Sequence, residues 1–218
     1  KFPGNTVICH VPKDSQFFAQ LVEFQNDMAR QPWAHKFAFL PPSSFHMTIF
    51  EGICDQVRKK SNWTSKLPLD TPLKDVDVLL KEEWKNIDTD IQFKVIPTAL
   101  FVGRAVTLRM SPVNNQMEAK MRRFRDTLAE KFGIKMSNHN RYGFHVSFAY
   151  QIEKLGFFER LQTLWYAFKS KKRIKEQFGV LETNPPELTF FEDMTNFAPS
   201  RKKARQNVQA FADCRRGR

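Results

Sequence analysis

Cysteine is scarce in this chain. Three residues, Cys9, Cys54 and Cys214, stand among 218, too few and odd in number for a disulfide framework. No CxxC and no His/Cys pair occurs at zinc-ligand spacing, so a reducing cytoplasm is the expected setting. No apolar run approaches about 18 residues, the length of a membrane span. Lys1-Phe2-Pro3-Gly4 leads straight into a strand-like segment and lacks the apolar core of a signal peptide. There is no G-x-S-x-G, and Ser43 and Ser44 sit in a proline loop, which argues against a serine hydrolase. No helical HxxxH exists either, so no metal site is expected. The sequon Asn62-Trp63-Thr64 is a pattern that arises often by chance.

What is present is apolar mass and positive charge. Hydrophobic residues make up 41%, with 22 phenylalanines, a globular composition whose phenylalanines mostly form core. The length suits one domain with an insertion. The formal net charge is +12. The tail 201–218 holds seven Lys and Arg against Asp213, half of that total, and a second basic run spans Lys169 to Lys175. Such charge reads either as solvated surface or as attraction to phosphates. Alone it does not choose between RNA, DNA and an anionic membrane.

Periodicity sketches the elements. Residues 6–11 read as a strand, Ser15 as a helix cap, and Phe17, Leu21, Phe24 and Met28 as one helix face. A strand at 45–50 follows the loop Pro41-Pro42-Ser43-Ser44. Residues 54–90 mix charge, proline and one amphipathic helix through Leu79, Leu80 and Trp84, and read as an insertion. Strands resume at 91–96 and 105–110. A helix then runs from about 113 to 132 through Met117, Met121, Phe124, Leu128 and Phe132, with Gly133 placed as its cap. A strand at 144–150, a basic helix at 157–179 and a last strand near 187–194 complete the chain before the tail.

Two stretches repeat. The helix faces correspond at an offset of 100, and the strands after them open Phe45-His46-Met47-Thr48 and Phe144-His145-Val146-Ser147, at an offset of 99. This predicts an internally duplicated α/β (α+β) fold, with halves at about 5–53 and 91–150 plus the last strand. Two antiparallel-rich sheets would form a central cleft with helices outside. Residues i and i+2 of a strand share a face. His46 and Thr48 would therefore meet His145 and Ser147 across a pseudo-two-fold axis, while Met47, Ile49, Val146 and Phe148 pack on the helices. Two imidazoles suit proton transfer to and from a phosphodiester near neutral pH, and two hydroxyls suit its non-bridging oxygens.

The paired motifs His46-Met47-Thr48-Ile49 and His145-Val146-Ser147-Phe148 resemble those of the two-histidine (2H) phosphoesterase superfamily, which includes 2′–5′ RNA ligase-like proteins and cyclic nucleotide phosphodiesterases. The resemblance covers most of residues 5–150. It implies a bilobal α/β fold, chemistry without a metal or other cofactor, and action on a 2′,3′-cyclic or 2′–5′ phosphodiester of RNA or a nucleotide. The expected catalytic set is His46, Thr48, His145 and Ser147. Arg141 and Tyr142, just before the second motif, are candidates to hold a phosphate and stack a base. His10 reads as structural and His139 as a loop residue. Tyr150, three residues past Ser147, falls by strict alternation on the opposite face. The expected partners are the nucleotide or RNA-type substrate and RNA through the basic tail, with no membrane, for a monomeric chain. Two rival readings are a non-catalytic RNA-binding module and a phosphodiesterase for a small non-nucleotide metabolite.

Overall fold

The computed structural model describes residues 2–192, 197–200 and 203. The tail 201–218, apart from Lys203, and Cys214 lie outside them. The main elements are β1 (Gly4–His10), α1 (Gln16–Ala29), β2 (Phe37–Phe39), β3 (His46–Cys54), α2 (Leu73–Trp84), β4 (Lys94–Val102), β5 (Ala105–Pro112), α3 (Asn115–Phe132), β6 (His145–Gln151), α4 (Phe157–Gln177), β7 (Leu181–Glu182) and β8 (Pro186–Phe191). Strands β2 and β7 are too short to show a period in the sequence. No helix among the described residues is long and apolar enough to cross a membrane.

The helices begin and end where local chemistry dictates. Ser15 Oγ accepts from the Phe18 N–H at the start of α1, and Asn114 Oδ1 accepts from Met117 N–H at the start of α3; each such cap is worth about 1 kcal/mol. Gly133 closes α3 at φ 66°, a left-handed position that costs glycine little. Phe17, Leu21, Phe24 and Met28 of α1 and Met121, Phe124, Leu128 and Phe132 of α3 are buried. Each such side chain contributes about 1.5–3 kcal/mol of apolar burial.

The strands lie in the order β7-β4-β5-β6-β3-β1-β8, with β2 pairing β6, and every pairing is antiparallel. The two expected sheets are the halves of this ladder. They are joined between β3 and β6 at one registered pair, Met47 opposite Val146, so the whole is one eight-stranded sheet.

The duplication extends to register. Ile8 faces Thr48 and His10 faces His46, as Thr107 faces Ser147 and Arg109 faces His145. Each half also has a β-bulge at the same place, between Val7 and Ile8 and between Val106 and Thr107. The extra residues are Ile49 in β3 and Phe148 in β6. Both strands accordingly bury two consecutive side chains, Ile49-Phe50 and Phe148-Ala149.

The segment 54–90, expected as an insertion, is packed into the core. Leu73, Val76 and Leu80 of α2 are buried, as is Asp77, whose Oδ1 accepts from Asn5 Nδ2 at 3.1 Å. Asn5 Oδ1 in turn accepts from the Ile53 N–H at 2.8 Å, tying α2 to the edge of the cleft.

Candidate active site

Histidine orientation is set by backbone. His46 Nδ1 lies 2.7 Å from the Ser44 carbonyl oxygen and His145 Nδ1 lies 2.9 Å from that of Gly143. A carbonyl only accepts, so Nδ1 carries the hydrogen in both rings and Nε2 is left to take or give a proton. The two carbonyls sit at equivalent positions, two residues before each histidine.

The β3/β6 register places the rest. With Met47 opposite Val146, one step either way sets His46 level with Ser147 and Thr48 level with His145. Each imidazole therefore neighbours the other half's hydroxyl. All four residues line a cavity of about 360 Å³, while Met47, Ile49, Val146 and Phe148 are buried on the reverse side.

Tyr142 also lines this cavity. Its ring lies 4.3 Å beneath the Arg125 guanidinium. Burial and the Glu51 carboxylate raise its hydroxyl pKa, against the Arg125 charge and a hydrogen bond with Thr48. Arg141 is exposed and does not line the cavity, because the short 3₁₀ turn His139–Arg141 turns Tyr142 inward instead. The arginine nearest His145 in register is Arg109 on β5, whose guanidinium lies against Gly143.

Three further cavity residues bear on the chemistry and are not among the sequence-based candidates. Strict alternation sends Tyr150 to the reverse face, but the bulge at Phe148 restores it to the cleft, where it hydrogen-bonds Ser147. The bulge at Ile49 does the same for Glu51, whose Oε2 accepts from Asn138 Nδ2 at 3.2 Å. The third is Phe197, whose ring stands edge-on to His46 at 4.4 Å. It is held there by the paired backbone bonds of Phe190 and Ala198. The apolar doublets Ile49-Phe50 and Phe148-Ala149 were the available signal for the bulges; nothing in the sequence marks Phe197.

The remaining histidines lie elsewhere. His10 Nε2 is 3.3 Å from Glu187. Buried His139 sets its Nε2 2.8 Å from Asp126, and His35 pairs with Glu159 at 3.5 Å.

Burial sets the charge state of His46. Burial, with smaller contributions from His10 and His145, pushes His46 down to about 4, against the Ser44 hydrogen bond. His46 is therefore neutral at physiological pH. Among the described lining residues there is no Lys or Arg, and Glu51 is the one carboxylate. The thiols are poor nucleophiles. Burial pushes Cys9 up to about 12 and also raises Cys54, which lines the cavity.

Known proteins resemble this chain in sequence and in fold. Residues 1–102 match the family described as "2H-phosphodiest: Domain of unknown function (DUF1868)". A conserved protein of unknown function from Agrobacterium tumefaciens str. C58, ATU0111, is 28% identical over 90% of this chain and 83% of its own, with a TM-score of 0.82. E. coli LigT in its apo form, at 10% identity over 92% of this chain and 96% of its own, has a TM-score of 0.50 and shares the fold. No curated protein sequence matches the chain significantly. The duplicated His-x-hydroxyl strands and the family match over residues 1–102 make this chain similar to the two-histidine phosphoesterases, and the sheet it shares with LigT shows a common fold.

Proposed function

We propose that the chain hydrolyses a 2′,3′-cyclic or 2′–5′ phosphodiester of a nucleotide or RNA end by general acid–base catalysis, without a metal. The observation that carries this reading is the matched pair of Nδ1–H···O=C bonds, which leaves two Nε2 atoms for proton transfer. His46, kept neutral by burial, takes the proton of the attacking water. As that oxygen bonds to phosphorus, His145 gives its Nε2 proton to the departing ribose oxygen, and the phosphoester bond breaks. Each transfer is typically worth roughly 10²–10⁴ in rate. Thr48 and Ser147 donate to the non-bridging oxygens, whose charge grows in the transition state. Tyr150 holds Ser147 in place.

Charge favours a diester over a monoester. A diester carries one negative charge, which the proton donors of the cleft offset. The monoester product carries up to two, in a cavity whose described lining has Glu51 and no Lys or Arg, so its release is favoured. The same lining speaks against the cleft as a non-catalytic RNA-binding groove, since such grooves rely on Lys and Arg for affinity. A volume of about 360 Å³ fits a nucleotide, with Tyr142, Tyr150 and Phe197 as surfaces for the base or ribose. Arg141, being exposed, is assigned at most to contacts with a longer strand. The basic tail is assigned a similar role, electrostatic attraction of RNA.

The test is product analysis of 2′,3′-cyclic nucleotide and 2′–5′ dinucleotide turnover in excess EDTA. A single 2′- or 3′-monophosphate from the cyclic substrate, formed undiminished in chelator, is expected. Loss of turnover in EDTA contradicts the metal-free mechanism. Turnover confined to small non-nucleotide diesters moves the substrate to a metabolite.

A further inference from the structure

Helix α4 has two faces, and the fold uses one of them. Thr163, Ser170 and Ile174 are buried. Tyr166 donates its hydroxyl hydrogen to Asp27 at 2.6 Å, and Arg173 pairs with Asp27 at 2.9 Å and Glu23 at 3.2 Å. This face seats the helix on β4 and α1.

The other face has no partner among the described residues. Phe157, Leu161, Leu164, Trp165 and Phe168 recur at helical spacing with Phe158 beside them, and all six are between 49% and 77% exposed. Single exposed apolar residues are ordinary, but a contiguous stripe of six large ones marks an interaction surface. Further along the same side the stripe gives way to Lys171, Lys172 and Lys175. The ammonium of Lys169 lies 4.9 Å over the Trp165 ring and that of Lys171 lies 5.7 Å over Phe168. The helix holds six Lys and Arg against Glu159 and Glu176. Glu159 is already engaged by the Gly156 N–H.

We propose that this face of α4 docks on an anionic lipid bilayer. The helix lies along the surface with its Phe, Leu and Trp side chains at the boundary of headgroups and acyl chains, while the lysines reach the lipid phosphates. Charge selects this occupant over others. A second copy would set a cationic face against a cationic face. The chain's own tail 201–218, with seven Lys and Arg against Asp213, has the same sign. The expectation of no membrane partner rested on the lack of a spanning segment, which says nothing about a helix lying on a surface.

The test is cosedimentation of the full chain with vesicles of phosphatidylcholine alone and of phosphatidylcholine mixed equally with phosphatidylglycerol, at low and high salt. Binding to the mixed vesicles only, weakened by salt, is expected. Lys171→Gln with Lys172→Gln should weaken it by roughly fivefold per lysine. Leu161→Glu with Leu164→Glu should weaken it by about tenfold or more. All four side chains point outward, so the thermal midpoint should not move. The proposal is overturned by the absence of binding to mixed vesicles. It is equally overturned if binding survives the Leu→Glu pair but disappears on deletion of 201–218, which assigns the attraction to the tail. A solution dimer that Leu164→Glu converts to monomer also overturns it, giving the face to a second copy.

Discussion

Gln25 on α1 and Arg125 on α3, 100 positions apart, each brace the bulge of the other half's histidine strand. Gln25 Nε2 donates to the Phe148 carbonyl at 3.1 Å and Arg125 Nη1 to the Ile49 carbonyl at 2.5 Å. Both side chains are buried beside an apolar helix face. Gln25 also donates to the Leu40 carbonyl at 2.9 Å. Arg125 donates to that of His139 at 3.3 Å and stacks on Tyr142. The bulges rephase the strands, and the opposing helices hold the bulges.

Removing either brace leaves buried carbonyls short of a donor: that of Leu40 without Gln25, since the Phe148 carbonyl keeps the Leu40 N–H at 2.8 Å, and those of Ile49 and His139 without Arg125. Gln25→Ala should cost about 1–3 kcal/mol and Arg125→Ala about 3–5 kcal/mol, the larger loss reflecting two carbonyls and a ring contact. Urea denaturation monitored by tryptophan fluorescence measures both. Stability unchanged in both variants would mean that the bulges hold themselves.

Tyr150 acts through Ser147. Tyr150→Phe removes one hydrogen bond in the cleft and should lower kcat/KM by about fivefold, in line with roughly 1 kcal/mol for such a bond, mostly through kcat. The folded stability should hardly change. Full activity in Tyr150→Phe would exclude it from the site.

The His46 pKa makes stability depend on pH. Folded His46 lies near 4 and unfolded histidine near 6.5. Above pH 6.5 both are neutral and the residue contributes no pH dependence. As the pH falls from 6.5 to 4 the unfolded chain binds a proton that the folded chain refuses, so stability drops, by at most about 3 kcal/mol. Denaturation of the wild type and of His46→Gln across this window should show that drop in the wild type alone. Parallel curves would mean that the imidazole is not desolvated. The same depression puts the acid limb of kcat/KM near pH 4 instead of near 6.5.

Gly52 has no room for a side chain. A Cβ there would come within 2.2 Å of the Asn5 carbonyl oxygen, inside the β1/β3 pair. Gly52→Ala should cost about 1–3 kcal/mol or more and disturb the adjacent Glu51. Wild-type thermal stability in this variant would contradict the close approach.

Much of this was legible in the sequence, and the failures have one physical source. His46, Thr48, His145 and Ser147 fall on one face because the strands alternate strictly from 46 to 49 and from 145 to 148. Ser15 and Gly133 announced their helix ends by capping chemistry. Alternation fails at the bulges, which consist of ordinary apolar residues. Tyr150 was therefore assigned to the wrong face and Glu51 was passed over. The sequence held a clue, since unbroken alternation would have faced Phe50 to the cleft and buried Glu51. Gln25 and Arg125 were hidden because a polar residue beside an apolar stripe ordinarily reads as the edge of the solvent face. Arg141 looked suited to phosphate by type and proximity, but a 3₁₀ turn decides direction residue by residue and has no period to read.

The most direct test of the central claim is turnover of the four nucleoside 2′,3′-cyclic monophosphates in EDTA by the wild type, His46→Ala and His145→Ala. The account predicts wild-type turnover that falls by roughly 10²-fold or more in each variant, with the variants folded. Turnover that survives loss of either histidine would contradict the two-histidine mechanism.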